Sequence, residues 1–323
     1  MKYNPFIRFI PVLFFSVISL SLLSCQQVPE QKKNYLIGVI NPNQGTQDIN
    51  RGFTEGLAES GYIKGQNTTF ITSVSSFELD QVIQDMVARN ADLIFTVTTP
   101  VTRKAKEATR QKNIPVVYAM QDPVASGLIK SLAQPNGNLT GVQIRGSVPK
   151  TVEWMLSVSP EINHLFVPIK YDTKAAEQSL EDLQKTVSFL GIKVTLAEVN
   201  DQSELDTALA RIPEDADGML MLHSIFIHSN VDKLIHAAIE KKLLIGSAAA
   251  QSDLGVTITY GMIPENTGRQ ASRLASLILS GMSPSDIPSE VADFFLGINL
   301  KTAAASGVEI PATVLQQADI IIR

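Results

Sequence analysis

The side chains able to do chemistry in this 323-residue chain are few and dispersed. Its histidines are His164, His223, His228 and His236, and its single cysteine is Cys25. His223 and His228, with Met219 and Met221 nearby, come closest to a soft metal-ligand set. The two methionines, however, lie two apart on an expected buried strand, where methionine fills core. No metal site and no cofactor is expected. A serine nucleophile would sit in a Gly-x-Ser-x-Gly elbow, a nucleotide in a Walker or Gly-x-Gly-x-x-Gly loop, and a protease zinc on His-Glu-x-x-His. None of these motifs occurs. Asp122 is the best-placed acid for proton transfer. Yet Asp122-Pro123-Val124 also reads as a helix N-cap followed by proline at the first helical position. The roles are compatible, because a cap facing a cleft can also meet a ligand. No catalytic residue is assigned, and binding is expected rather than turnover.

Cys25 follows the most apolar stretch of the chain. Lys2 and Arg8 form a positive start, and residues 9–23 are apolar apart from Pro11, Ser16, Ser19 and Ser21. That is short of the about 20 apolar residues a membrane-spanning helix needs, and fits the hydrophobic region of a secretory signal. Leu22-Leu23-Ser24-Cys25 resembles a bacterial lipobox, which implies cleavage before Cys25 and a lipid on its thiol. On this reading residues 1–24 are a lipoprotein signal peptide and the polar stretch 25–34 is a tether. The mature chain would lie in the cell envelope, anchored by lipid on the periplasmic side of a bacterial membrane.

The remainder must supply the scaffold. Length allows about two domains with cores of their own. Composition, 44% apolar and 18% charged, is that of an ordinary globular protein. One cysteine excludes intramolecular disulfides, and a net charge of −5 argues against nucleic acid as a partner. From Tyr35 onwards short β-branched runs alternate with segments of helical period, the signature of parallel α/β architecture. Strands are expected at 35–40, 68–73, 93–97 and 115–118, with helices at 48–60, 77–89 and 101–111 between them. Phe53 and Leu57 mark the buried face of the first helix, with Gly56 beside them allowing close approach to the sheet. A second block repeats the plan, with strands at 165–169, 193–198, 219–222 and 243–245. Its helices are expected at 174–190, 203–211 (Ser203 as N-cap) and 229–241. A strand at 256–260, a helix at 264–280, and strands at 294–298 and 320–322 follow. Open parallel sheets bind ligands at the carboxyl ends of their strands, so two facing lobes would hold a site between them.

One stretch is distinctive: Asp122-Pro123-Val124-Ala125-Ser126-Gly127-Leu128, then Ser131-Leu132, then Pro135 to Val142 (PNGNLTGV). It resembles the signature of ABC-transporter substrate-binding proteins of the tryptophan/tyrosine-binding type. Gly52-Phe53, Gly56-Leu57, Gly61-Tyr62 and Gly65-Gln66-Asn67 resemble that family's first helix and turn. Residues 91–95 with Thr98-Thr99-Pro100 are similar to its strand-to-helix element. Gly268-Arg269-Gln270-Ala271, residues 298–303 and residues 307–311 match further on. The resemblance implies a periplasmic-binding-protein-like type I fold, each lobe a parallel sheet flanked by helices, joined by three crossovers. Lobe one would be 35–142 plus 256–283, and lobe two 143–255 plus 284–323. It implies closure on a small-molecule ligand and, as partner, an ABC permease subunit in the membrane. A ligand sensor reporting to a membrane receptor is the alternative.

Candidate ligand contacts in lobe one are Asn41, Asn43 and Gln44 after the first strand, Thr98 and Thr99 where a helix begins, and Met120, Gln121 and Asp122 after the fourth strand. Free N–H groups at the Thr98–Pro100 helix start favour an anion such as an amino-acid carboxylate. Lobe two departs from the family pattern. Its usual polar stretches are replaced by residues 169–176, by His223-Ser224-Ile225 and by Ser247-Ala248-Ala249-Ala250. Candidate contacts there are Tyr171, Asp172, His223, Ser224, Phe226, Ser247 and Ala248. Loss of polar partners suggests a ligand without an α-ammonium group, since an unpaired buried charge is costly.

Overall fold

The computed structural model describes residues 33–40, 46–73, 79–146 and 148–323. The chain begins with β1 (Tyr35–Ile40), α1 (Gln47–Glu59), β2 (Thr68–Ser73) and α2 (Leu79–Ala88). It continues through β3 (Leu93–Val97), α3 (Thr99–Thr109), β4 (Val116–Gln121) and β5 (Leu139–Ile144). These strands pair in parallel, Ile37 against both Phe70 and Leu93, and Phe95 against Val117. β3 (LIFTV) is buried along its whole length, as a strand covered on both faces must be. Phe53 of α1 stacks on Phe95 at 3.9 Å, fixing the helix over the centre of the sheet.

The second sheet is preceded by α4 (Val148–Val158). It takes β6 (His164–Ile169), α5 (Lys174–Leu190), β7 (Lys193–Glu198), α6 (Gln202–Ala210) and β8 (Gly218–Met221). Then come α7 (Ile225–Ser229), α8 (Val231–Glu240), β9 (Leu244–Ser247) and β10 (Ile258–Gly261). The chain crosses back as α9 (Pro264–Leu279) and β11 (Glu290–Val291), and returns as β12 (Phe295–Asn299), α10 (Leu300–Ala305), α11 (Ala312–Leu315) and β13 (Ile320–Ile322). The sheet orders are β11-β5-β4-β3-β1-β2 and β13-β12-β10-β9-β8-β6-β7. The two-lobed α/β architecture therefore holds, with the chain passing between sheets after β5, β10 and β11.

Several expectations need correction. The strand expected at 256–260 in lobe one is β10, which pairs with β9 and, antiparallel, with β12 in the second sheet. That antiparallel pair also makes the second sheet not wholly parallel. Conversely, Glu290–Val291, expected in lobe two, pairs with β5 of the first. Apolar periodicity finds an element but carries no record of which sheet it joins. Only α9 of the 256–283 segment belongs with lobe one, where Ala271, Leu274, Ala275 and Ile278 share a core with Phe53 and Leu57. Gly56 serves contact with α9, not with the sheet: an added Cβ would meet Ser272. α6 is capped by Asp201, whose Oδ1 accepts from Glu204 N at 2.9 Å, rather than by Ser203.

Candidate functional site

In lobe one β3 runs directly into α3 through Thr98. Its backbone is at φ 77°, ψ 149°, a region that a β-branched residue occupies only under strain. The Thr98 N–H donates to the Ala119 carbonyl at 3.1 Å and its carbonyl accepts from Thr102 Oγ1 at 2.8 Å. Its side chain caps nothing, so the first amides of α3 receive no hydrogen bond from it. Thr99 Oγ1 donates to the Gln121 carbonyl at 3.2 Å, tying the ends of β3 and β4 together. Met120 is buried in the core beneath that end, with Val116 and Tyr118 on the same face of β4. Gln121 is exposed.

The N-cap expected at Asp122 does not form. The residue sits at φ 42°, and the Pro123–Lys130 segment folds as turns instead of a helix. The Asp122 carbonyl accepts from Ser126 N, and its carboxylate accepts from Gln143 Nε2 at 3.2 Å. The bond ties the end of β4 to β5, and Asp122 itself is exposed.

In lobe two the strand-end side chains satisfy one another. Asp172 Oδ2 accepts from Ser224 Oγ at 3.0 Å and from Phe226 N at 2.8 Å. Ser224 Oγ in turn caps α7 by accepting from Ile227 N. Ser247, fully buried, donates to Gln251 Oε1 and accepts from Ala249 N. Ala248 lies in the core. Phe226 carries the Lys170 ammonium over its ring at 4.7 Å, while Tyr171 is 43% exposed. Of the expected contacts, Met120, Ser224, Ser247 and Ala248 are thus interior residues, and Asp172 is occupied by a cap.

A cavity of about 730 Å³ opens between the lobes, and it gathers Gln121, Asp122 and His223 from the expected set. Its remaining polar walls come from Arg145 after β5, Lys150 and Glu153 on α4, and Gln178, Ser179 and Asp182 on α5. Phe294, before β12, closes one side. Lys150 is paired with Glu153 at 2.7 Å, and Gln178 Nε2 donates to Asp182 Oδ1 at 3.3 Å. Arg145 has no partner among the described residues. Charges of both signs therefore line one cavity.

His223 is held by its backbone, N donating to Ser179 Oγ at 3.3 Å and O accepting from Thr173 Oγ1 at 3.1 Å. Burial, with the His228 ring edge-on at 6.1 Å, lowers its pKa to about 4. Burial also lowers the pKa of His228, opposed by the Leu222 carbonyl and the Asp172 charge. Both rings are neutral at pH 7. Among the described residues no group of three metal-ligating side chains converges.

Residues 37–322 match the model of a family described as ABC transporter substrate binding protein. The chain belongs to that family. A tyrosine-binding protein of Clostridioides difficile (strain R20291) is 28% identical over 267 residues, 80% of this chain and 76% of its own. An ABC domain from Streptococcus pneumoniae in complex with L-Trp superposes with a TM-score of 0.70 at 23% identity. It covers 90% of this chain and 100% of its own. A ligand-free, open substrate binding protein from Clostridium difficile gives 0.74 at 22%, over 89% and 99%. At these identities the two structures establish the fold alone.

In this substrate-binding protein Cys25, Asn41, Asn43 and Gln44 lie outside the described residues. Thr98 and Thr99 stand half-exposed at the start of α3 but do not line the cavity. Sequence reasoning missed Arg145, Lys150, Glu153, Gln178 and Asp182. A signal for α4 was present, since Val148, Val152 and Met155 recur at helical spacing.

Proposed function

We propose that this chain is the extracytoplasmic solute-binding component of an ABC importer. It is tethered to the membrane by a lipid on Cys25 and closes its lobes on a small amino-acid-like molecule. One observation carries the reading: the cavity between the lobes presents Arg145 without a partner together with Asp122 and Asp182. A zwitterion complements such a pattern, its carboxylate toward the guanidinium and its ammonium toward a carboxylate. The likeness to a tyrosine-binding protein supports the same ligand class. Among the described residues no helix is long and apolar enough to cross a membrane.

A second reading draws on Asp172. Its Oδ2 is engaged by Ser224 and Phe226 and the residue does not line the cavity, so the strand ends of lobe two offer an ammonium group there little. A more apolar or purely anionic ligand follows from that. Thermal-shift titration of the chain from residue 26 onward decides between them. L-tyrosine and L-tryptophan would be compared with 3-(4-hydroxyphenyl)propionate and indole-3-propionate, which lack the ammonium. Stabilisation by the amino acids supports the first reading, since a ligand raises stability by mass action. Stabilisation by the deaminated acids alone would overturn it.

A further inference from the structure

His223 Nε2 is buried and has no hydrogen-bond partner among the described residues. The reason is Gly146, in the crossover between β5 and α4. A Cβ added there would stand 2.7 Å from Nε2 and 2.9 Å from Cδ2 of the ring. Gly146 does not have a positive φ, so its backbone conformation does not demand glycine. Room for the imidazole does. On its other side the ring meets His228, and its backbone is bonded to Ser179 of α5 and to Thr173, the N-cap of that helix. The crossover thus lies on a polar atom that water cannot reach and that no protein group satisfies.

A buried acceptor or donor without a partner disfavours the arrangement that creates it. An arrangement that lifts Gly146 and gives Nε2 a hydrogen bond is relieved of that cost. The ring also lines the ligand cavity, so a ligand group can supply that bond. We propose that Gly146 and His223 couple occupancy of the cavity to the crossover. In this arrangement the glycine covers Nε2; in the ligand-bound arrangement it has moved off, and Nε2 bonds a hydroxyl, carboxylate or amide of the ligand. In the arrangement seen here the imidazole is neutral at pH 7. This inference rests on the reading of the cavity as the solute site.

The test uses Gly146→Ala, His223→Ala and the double variant. Small-angle X-ray scattering of the ligand-free proteins reads lobe arrangement, and calorimetric titration with L-tyrosine reads affinity. Gly146→Ala forces a methyl against the ring and is expected to change the ligand-free radius of gyration. It should also tighten L-tyrosine binding by up to about tenfold, because the competing arrangement is depopulated. His223→Ala should weaken binding by about tenfold, the value of one hydrogen bond to a neutral group. The double variant should return the scattering curve to that of the parent. Weaker binding in Gly146→Ala, as a hinge that merely needs flexibility would give, overturns the proposal. So does a double variant that keeps the altered curve. If L-tyrosine binds none of the proteins, the amino-acid reading of the cavity fails, and the scattering comparison alone decides the coupling.

Discussion

Acid should destabilise this protein through His223, and the size of the effect can be worked from its surroundings. The pKa falls from 6.5 to about 4 in the folded chain because the ring is buried beside a second imidazole. A depressed histidine pKa means the unfolded chain binds more protons between those values, so stability rises with pH there. The contribution is complete above pH 6.5, is lost as pH falls towards 4, and stays lost below. A shift of this size corresponds to about 3 kcal/mol at 1.36 kcal/mol per unit. The assay is guanidinium denaturation of the parent and of His223→Asn at steps from pH 7.5 to 4.5. The variant has its own packing cost, about the same at every pH. What should differ is the slope: the variant loses up to one proton's worth, about 1.4 kcal/mol per pH unit, between pH 6 and 4.5. His228 acts in the same direction and persists in the variant, so some slope remains. Parallel stability profiles for the two proteins would refute the assignment of a buried neutral imidazole.

Other substitutions probe the scaffold and the tether. Gly268→Ala places a Cβ 2.6 Å from Phe53 N and into the Ile49 carbonyl, backbone that cannot yield without parting α1 from α9. The melting temperature should fall by roughly 4–10 °C. Thr98→Gly relieves a β-branched residue at φ 77° and, after the entropy glycine adds to the unfolded chain, should stabilise by about 1 kcal/mol in denaturant titration. Cys25→Ala should move the chain from the membrane to the soluble fraction on cell fractionation and abolish incorporation of labelled palmitate.

How legible the fold was depends on what each segment had to specify locally. β1, β2, β3, β7 and α5 have the limits expected from sequence, because a β-branched run or an amphipathic repeat ends there at turn residues. Gly191 at φ 72° is such a stop. β5 was not foreseen: its Gly141 weakens the strand pattern, yet the glycine is required, since a Cβ would lie 2.6 Å from Tyr118 N in the neighbouring strand. That requirement is tertiary and leaves no local trace. The same holds for the cavity. Arg145, Lys150, Glu153, Gln178 and Asp182 belong to no motif in the sequence. Only the packing of α4 beside α5, under the end of β4, turns them into walls.

The strand-end residues of lobe two carry structural bonds of their own. Asp172, Ser224 and the Phe226 amide close a small network that starts α7, and Ser247, Gln251 and Ala249 close another after β9. None of these residues lines the cavity. The groups with unmet capacity are those nearer the crossover: the Arg145 guanidinium and the buried Nε2 of His223. A solute drawn to them lies against the segment through which the lobes are joined. On the proposed coupling its binding energy would act on the crossover directly, and a substitution at Asp172 should disturb folding of α7 more than selection of the ligand.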